Sequence, residues 1–354
     1  MSNGTYRCGA LRHLEGGPSA LPGALLFAAG LGGNVLALGL LWQHQLRARR
    51  QGGGRRARAS AFYVLASALA ATDLLGKCAL SPVVLAAYAR NRSLSALWPS
   101  AGPPPGPLCR LFASLMAFFG LAPSVLLLAM ALQCCLSLGR PYCYARRAGR
   151  RLGALLAAAA AALCALLCAL PPLGFGAAVQ YCPGTWCFLR MAGPGRGYAL
   201  LYASLLALLV LAVGLCNLGS MRSLYRMARR QPPRTAEAAA PRPPGGLSRA
   251  GRTQELRHLV LLALMTVLFT VCSLPLIIRA YVGAIAPDYD ENADLTALRF
   301  FSVNSIVDPW VFIIFRTSVF RTCLHRVSKR LSYNRASHSQ LLETSTRKDS
   351  GQLP

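Results

Sequence analysis

The chain has 354 residues, of which 54% are hydrophobic and only 14% are charged. This balance is too apolar for a soluble domain of that length and is typical of a helical bundle in a membrane. A formal charge of +27 would suggest nucleic-acid binding in a soluble protein, but the basic residues lie in the gaps between apolar segments. That distribution indicates membrane topology and argues against a nucleic-acid partner.

Seven apolar segments are each long enough to cross a bilayer, which requires about 20 residues per helix. They cover residues 21–43, 60–89, 108–138, 150–173, 197–224, 255–283 and 294–316. The sequence therefore predicts an all-α membrane protein, a seven-transmembrane helix bundle within residues 21–316. Residues 1–20 do not resemble a cleavable signal peptide. They are expected to form an extracellular N-terminus, because an odd number of spans places the termini on opposite sides.

Basic residues define the expected orientation of the bundle, because short cytoplasmic loops retain Lys and Arg. The connections after the first and the fifth span are the richest in arginine. They contain Arg47, Arg49, Arg50, Arg55, Arg56 and Arg58, and Arg226, Arg229, Arg230, Arg234, Arg242, Arg249 and Arg252. Both connections are predicted to be cytoplasmic, with the N-terminus outside the plasma membrane. Two N-glycosylation sequons, at Asn3 and Asn91, lie on the predicted extracellular side.

Four of the thirteen cysteines also lie on the predicted extracellular side, where the compartment is oxidising. They are Cys8, Cys109, Cys182 and Cys187. Four cysteines allow three pairings. We favour a disulfide between Cys109 and Cys187, which would join the third span to the second outer loop, and a second between Cys8 and Cys182.

The segment after the seventh span carries apolar residues at helical spacing among basic residues. This pattern predicts an amphipathic eighth helix over residues 317–331, lying along the inner membrane surface. Residues 332–354 are polar and are expected to form a disordered cytoplasmic tail. Phosphorylation of the Ser and Thr residues in that tail would create a binding site for arrestin.

Polar residues and prolines inside the spans carry a family resemblance. Gly33-Asn34, Asp73, Cys272-Ser-Leu-Pro275 and Asp308-Pro309-Trp310 stand in the order of the landmark positions of rhodopsin-like G-protein-coupled receptors. The strings QYCPGTWCF, at 180–188, and LRF, at 298–300, resemble the signatures of the prostanoid receptors. The chain is identified by this resemblance as a member of the prostanoid receptor family.

The resemblance implies a receptor that is not an enzyme and that carries no cofactor. Its expected ligand is prostaglandin D2 or a related anionic lipid, with prostacyclin and the E-series prostaglandins as alternatives. Its expected partner is the stimulatory G protein, which raises cyclic AMP. An ion-coupled transporter is the alternative from another class, and it would show internal repeats or broken helix pairs. The sequence shows no repeat at the spacing of the spans.

The resemblance also implies a set of ligand-binding residues. It assigns the ligand carboxylate to Arg299, whose planar fork of donors suits a carboxylate. In the alternative, Arg299 extends toward the outer lipid headgroups. Tyr88, Thr185 and Trp186 match positions that complete the anion site, and each can donate a hydrogen bond.

Three ionisable residues inside the spans are expected to serve function, because burying a charge in a bilayer costs about 3 kcal/mol or more. Lys77 lies one turn beyond Asp73. It either pairs with that acid on one helix face or donates to a ring oxygen of the ligand. Asp308 is expected near Asp73, where the two acids would share protons or a sodium ion. No other metal site is predicted.

Further positions are expected to form a conformational switch. Pro275 and Pro309 interrupt the backbone hydrogen bonds of the sixth and seventh spans and permit bending there. At the inner end of the third span, Gln133-Cys134-Cys135 stands where relatives usually carry an acid followed by arginine, or, in one branch of the prostanoid receptors, Glu, Cys and Trp. Without that ion pair, we expect the restraint on basal activity to be weaker or to be supplied elsewhere.

Overall fold

The computed structural model of the protein is dominated by long helices. It describes residues 6–16, 19–50, 57–98, 104–139, 150–229, 249–286 and 289–316. The long helices within these residues are α1 (Leu21–Arg50), α2 (Ala57–Arg90), α3 (Pro107–Gly139), α4 (Arg150–Cys168), α5 (Gly197–Arg229), α6 (Arg249–Ile285) and α7 (Glu291–Arg316). All seven contain a segment long and apolar enough to cross a membrane, so the predicted seven-helix bundle is confirmed.

The bounds of these helices follow from local sequence. In hydrocarbon every backbone polar group must be satisfied internally, which makes the apolar spans helical. α4 ends at Cys168, earlier than the expected limit at residue 173. The reason is Pro171 followed by Pro172, because proline cannot donate to the helical ladder. A short 3-10 turn, Pro171–Leu173, follows instead and ends at Gly174 with a φ of 99°.

α3 lies at the centre of the bundle. It packs against α2, α4, α5 and α6, while α1 packs against α2, and α5 packs against α6. Its side chains Phe112, Met116 and Leu121 are all less than 5% exposed. A displacement of α3 would therefore change the packing of four other helices at once.

A short β-hairpin covers one end of the bundle. Strands β1 (Ala178–Tyr181) and β2 (Trp186–Leu189) are antiparallel, with Gln180 opposite Cys187. The turn passes through Gly184 at a φ of 105°, a conformation that favours glycine. We call residues 6–16, 91–98 and 177–190 the lid, because hydrogen bonds join these three segments at this end of the bundle.

Two disulfides fix the lid. Cys109 at the start of α3 is bonded to Cys187 of β2, and Cys8 of the N-terminal segment is bonded to Cys182 of the hairpin. Both favoured pairings are therefore confirmed.

Gln180 joins all three segments of the lid. Its side-chain Nε2 donates to the carbonyl oxygens of Cys8 and Leu11 at 2.9 and 3.1 Å, and its Oε1 accepts from the N–H of Ser95 at 3.0 Å. Ser93 adds a further link, since its hydroxyl donates to the Leu11 carbonyl at 2.6 Å. A fully buried glutamine with these bonds is well satisfied.

Glu291, at the start of α7, ties the lid to the helical bundle. It is 8% exposed and accepts the N–H of Cys8 at 3.1 Å and the N–H of Cys182 at 3.0 Å. The nearby grouping of Cys8, Cys182 and Glu15 has the proximity of a metal site. Because both of these cysteines are in a disulfide, they offer no thiolate to a metal.

Two buried tyrosines complete the lid. Burial, and then the negative charge of Asp294, raise the pKa of Tyr6 to about 12. Burial likewise raises the pKa of Tyr181 well above its ordinary value. Both phenols therefore stay neutral at physiological pH. The Tyr6 oxygen accepts the N–H of Ala192 at 3.0 Å, and the Tyr181 hydroxyl donates to the Leu189 carbonyl at 2.8 Å.

The chain divides into two compact units, Met1–Val311 and Phe312–Pro354. In the second unit the structure describes only residues 312–316, which are helical. The predicted membrane-surface helix at 317–331, the predicted tail at 332–354 and the sequon residue Asn3 lie outside the described residues.

The Glu291→Ala variant is expected to destabilise the protein. It would leave the N–H groups of Cys8 and Cys182 buried without their acceptor, and hydrogen bonds to charged groups contribute about 1.5–3 kcal/mol each. The measurement is the thermal unfolding midpoint of purified protein in detergent. The exposed neighbour substitution Asn292→Ala is the control. Equal midpoints for the two variants would contradict the tethering role of Glu291.

Candidate functional site

A cavity lies beneath the lid between α1, α2, α3 and α7. Its empty volume, including space that is open to solvent, is about 950 Å³. Apolar side chains of α2 and α3 form much of the wall, among them Leu80, Val84, Phe112 and Met116, and Trp186 of β2 contributes from the lid. A concave, mostly apolar space with few polar groups is the usual form of a site for a small lipid-like molecule.

The deep end of the cavity holds two ionisable residues of α2. Lys77 and Asp73 both line it, and the Lys77 ammonium donates to the Ser302 carbonyl of α7 at 3.1 Å. Asp73 is 1% exposed, and neither of its carboxylate oxygens has a hydrogen-bond partner within the part of the chain that the structure describes. Lys77 is thus directed across to α7 and does not hydrogen-bond to Asp73.

Oxygen atoms collect around Asp73 at this depth. Asp308 is 5% exposed and Asn304 is 8% exposed, and each has a buried Oδ1 without a hydrogen-bond partner among the described residues. Buried carboxylate and amide oxygens that lack donors are suited to a small hard cation or to a shared proton. The sharing of protons or a sodium ion between Asp73 and Asp308 stays a prediction.

The predicted ligand-binding residues are only partly brought together. Lys77 and Trp186 line the cavity. Thr185 is fully buried, and its hydroxyl lies 3.5 Å from the Tyr88 hydroxyl, at the limit of a hydrogen bond. Arg299 is exposed on α7, one turn before Ser302 of the cavity wall, and does not itself line the cavity.

The landmark positions of α1 and α7 are in direct contact. The Asn34 side chain donates to the Gly30 carbonyl at 2.9 Å and to the Ser305 carbonyl of α7 at 3.1 Å. A Cβ atom at Gly33 would lie 2.9 Å from Nε1 of Trp310 and 3.3 Å from Cγ of Pro309. The glycine therefore permits the close approach of α7 to α1 at Pro309.

The remaining switch residues lie in the bundle. Pro275 is inside α6, as expected, and the neighbouring Ser273 is fully buried. Gln133 of α3 is 6% exposed, and its Oε1 lacks a hydrogen-bond partner among the described residues.

Sequence reasoning missed two contacts of α6. His258, near the end of α6 farthest from the lid, stacks on Phe62 of α2 with ring centroids 4.1 Å apart and an interplanar angle of 12°. Near the lid, Arg279 forms an ion pair with Asp294 of α7 at 2.7 Å, and the Asp294 side chain is 1% exposed. The sequence could have indicated the ion pair, because two opposite charges lie inside neighbouring spans. It contained no signal for the stack of His258 on Phe62.

Comparison with known proteins agrees with this architecture. The model of the family described as "7 transmembrane receptor (rhodopsin family)" matches residues 53–312. The crystal structure of squid rhodopsin superposes with a TM-score of 0.65, covering 88% of this chain and 85% of that one, at 14% sequence identity. At that identity the likeness shows the fold alone.

Curated relatives are similar over nearly the whole chain. The prostaglandin D2 receptor of Mus musculus is 53% identical over 96% of this chain and 98% of its own length. That of Homo sapiens is 52% identical over 98% of this chain and 100% of its length. The prostacyclin receptor of Homo sapiens is 50% identical over 89% of this chain and 77% of its length.

The chain therefore belongs to the rhodopsin family of seven-transmembrane receptors. Within that family it is a prostanoid-type G-protein-coupled receptor, and its similarity to the prostaglandin D2 receptors spans almost every residue. It is a multi-pass protein of the plasma membrane and a receptor, not an enzyme.

The Arg279→Met variant is expected to lower stability, because it leaves the carboxylate of Asp294 buried without its guanidinium. Breaking a buried ion pair by removing one partner costs about 3–5 kcal/mol. The measurement is thermal unfolding in detergent. Arg279→Lys, which keeps the charge, serves as the matched control and should retain part of the stability. A Met variant as stable as the unmodified chain would contradict a structural role for this pair.

Proposed function

We propose that the chain is a receptor for prostaglandin D2 that couples to the stimulatory G protein and raises cyclic AMP. The observation that carries the proposal is the similarity to prostaglandin D2 receptors over 96% or more of this chain, combined with a mostly apolar cavity beneath the lid. Prostaglandin D2 is an anionic lipid with oxygen substituents on a five-membered ring. Its apolar carbons suit the wall of α2 and α3, and its polar groups need donors.

Two cationic side chains supply donors of the required kind. Lys77 lies in the cavity wall and donates to a backbone carbonyl, so its ammonium retains hydrogens for a ring oxygen of the ligand. Arg299 is accessible one turn closer to the lid, where it would bind the carboxylate. Thr185 and Trp186 of the lid, together with Tyr88 of α2, would complete this anion site.

A different prostanoid is the second candidate. Prostacyclin receptors are 47–50% identical to this chain over 89% of its length, so the same cavity could accept a prostanoid with another ring. E-series prostaglandins share the carboxylate and differ at the ring oxygens. The choice among them depends on the surroundings of Lys77.

The lid end of the bundle would face the cell exterior. Both disulfides lie at this end, with at least one cysteine of each in the lid, and disulfides form in an oxidising compartment. The sequon residue Asn91 is exposed in the lid. The arginine-rich connections then face the cytoplasm, where the G protein binds. Arrestin would bind there after phosphorylation of the tail at 332–354.

The first test of this function is a cyclic AMP titration in cells that express the full chain. Prostaglandin D2 should be more potent than prostaglandin E2 or a prostacyclin analogue. Arg299→Ala should reduce its potency about 10- to 150-fold, since a hydrogen bond to a charged group contributes about 1.5–3 kcal/mol. The control is Arg90→Ala, an exposed arginine at the end of α2 near the lid.

Binding of tritiated prostaglandin D2 to the same cells separates ligand from coupling. Saturable binding without cyclic AMP would show that the proposed G-protein coupling is wrong. No binding of any of the three prostanoids would show that the proposed ligand class is wrong.

The unusual far end of α3 leads to a prediction about basal activity. Because Gln133-Cys134-Cys135 lacks the usual ion pair, we propose that the stack of His258 on Phe62 supplies part of the restraint on α6. His258→Ala should raise basal cyclic AMP several-fold, since such a ring pair contributes about 0.5–1.5 kcal/mol. Arg257→Ala, an exposed neighbour on α6, is the control. Unchanged basal activity at equal surface expression would refute the role of the stack.

A further inference from the structure

One glycine of α3 lies against an aromatic ring of α7 in the cavity wall. Gly120 and Phe301 both line the cavity. A Cβ atom added at Gly120 would overlap Cε1 and Cζ of Phe301 and would lie 2.9 Å from the Tyr202 hydroxyl of α5. Carbon atoms do not approach so closely, so any residue larger than glycine requires the Phe301 ring to move.

Tyr202 restricts the movement of the Phe301 ring. Its hydroxyl donates to the Ala117 carbonyl of α3 at 2.9 Å, and its side chain is 4% exposed. Its ring meets Phe301 edge-on at 6.4 Å between centroids and meets Phe188 of β2 edge-on at 5.7 Å. Phe301 is therefore flanked by Tyr202 and α3, and the cavity is the free space that it faces.

Phe301 also shares the cavity wall with Lys77, the cationic donor. The next residue, Ser302, supplies the carbonyl that accepts from Lys77 at 3.1 Å. A ligand ring that reaches the Lys77 ammonium must pass close to this part of α7. The position of the Phe301 ring then limits the width available next to Lys77.

We infer that Gly120 and Phe301 together form a steric gauge, which selects among prostanoid rings by setting the width of the cavity beside Lys77. The inference rests on the proposed function, since it specifies how that ligand site discriminates. Gly120 keeps the ring of Phe301 withdrawn against α3, and the withdrawn ring leaves room for the ligand. Neither residue makes a polar contact with the ligand, so both act through shape.

The competing explanation is that Gly120 simply permits close packing of α3 and α7. Packing alone predicts that a larger residue lowers stability and weakens all ligands equally. The gauge predicts that selectivity changes and that trimming Phe301 restores what a methyl group at Gly120 removes. The two explanations therefore differ in ligand ratios, which a general loss of folded protein does not alter.

The experiment uses the full chain in cell membranes, with saturation binding of tritiated prostaglandin D2 and competition by prostaglandin E2 and a prostacyclin analogue. Gly120→Ala should weaken prostaglandin D2 at least tenfold, because the displaced ring enters the cavity. Phe301→Leu should keep prostaglandin D2 within about threefold and reduce its preference over prostaglandin E2 about tenfold. The double variant Gly120→Ala with Phe301→Leu should bind prostaglandin D2 within about threefold of the unmodified chain.

Gly39→Ala is the matched control. Gly39 is also a helical glycine, and a Cβ atom there would meet nothing within 4 Å, so its binding should match the unmodified chain. If Gly120→Ala fails to reach the membrane, Phe301→Leu alone decides through its selectivity ratio. Unchanged selectivity in Phe301→Leu, or a double variant no better than Gly120→Ala, overturns the gauge. An unmodified chain that binds none of the three prostanoids overturns the proposed ligand class as well.

Discussion

The disulfide between Cys109 and Cys187 is the constraint around which the cavity is arranged. It fixes the first turn of α3 to β2, and both cysteines are fully buried. This disulfide also fixes the position of Trp186, because Trp186 precedes Cys187 in β2 and lines the cavity. Phe112, one turn after Cys109, completes the wall from α3. A two-stranded hairpin is marginally stable alone, so a covalent attachment to the central helix gives the lid a defined position.

Buried carboxylates at the two ends of the cavity differ in their hydrogen bonding. At the lid, the carboxylate of Glu291 accepts two backbone N–H groups and joins the lid to α7. At the deep end, both carboxylate oxygens of Asp73 are buried without a hydrogen-bond partner in the described part of the chain. A satisfied acid stabilises one arrangement, whereas an unsatisfied acid costs free energy until a proton or cation arrives. The hydrogen-bonded carboxylate of Glu291 therefore suits a lid that is fixed in position. The carboxylate of Asp73 suits a site that gains or loses a proton or a cation.

Hydropathy predicted the seven helices because membrane insertion depends on local composition. The placement of four cysteines on one side predicted disulfides there, but it left three pairings open, of which we favoured the one that the structure has. The sequence also pointed to Lys77 and Trp186, which line the cavity, since a charge in a span and a loop signature are visible in sequence. The end of α4 at Cys168 could have been read from Pro171 and Pro172. The role of Gly120 could not be read from the sequence, because an apolar span tolerates glycine at any position. Its contact with Phe301 depends on where another helix lies.

The row of Phe188, Tyr202 and Phe301 joins the lid strand to α7 through contacts that leave little space. Closely packed side chains deform little, so a displaced ring shifts its neighbours. A ligand changes a conformational equilibrium only through interactions that differ between the two states. Trp186 and Phe301 both line the cavity, and Phe301 lies about two turns from Pro309 on the same helix. A molecule that fills the cavity would therefore contact both the lid strand and the helix that carries Asp308.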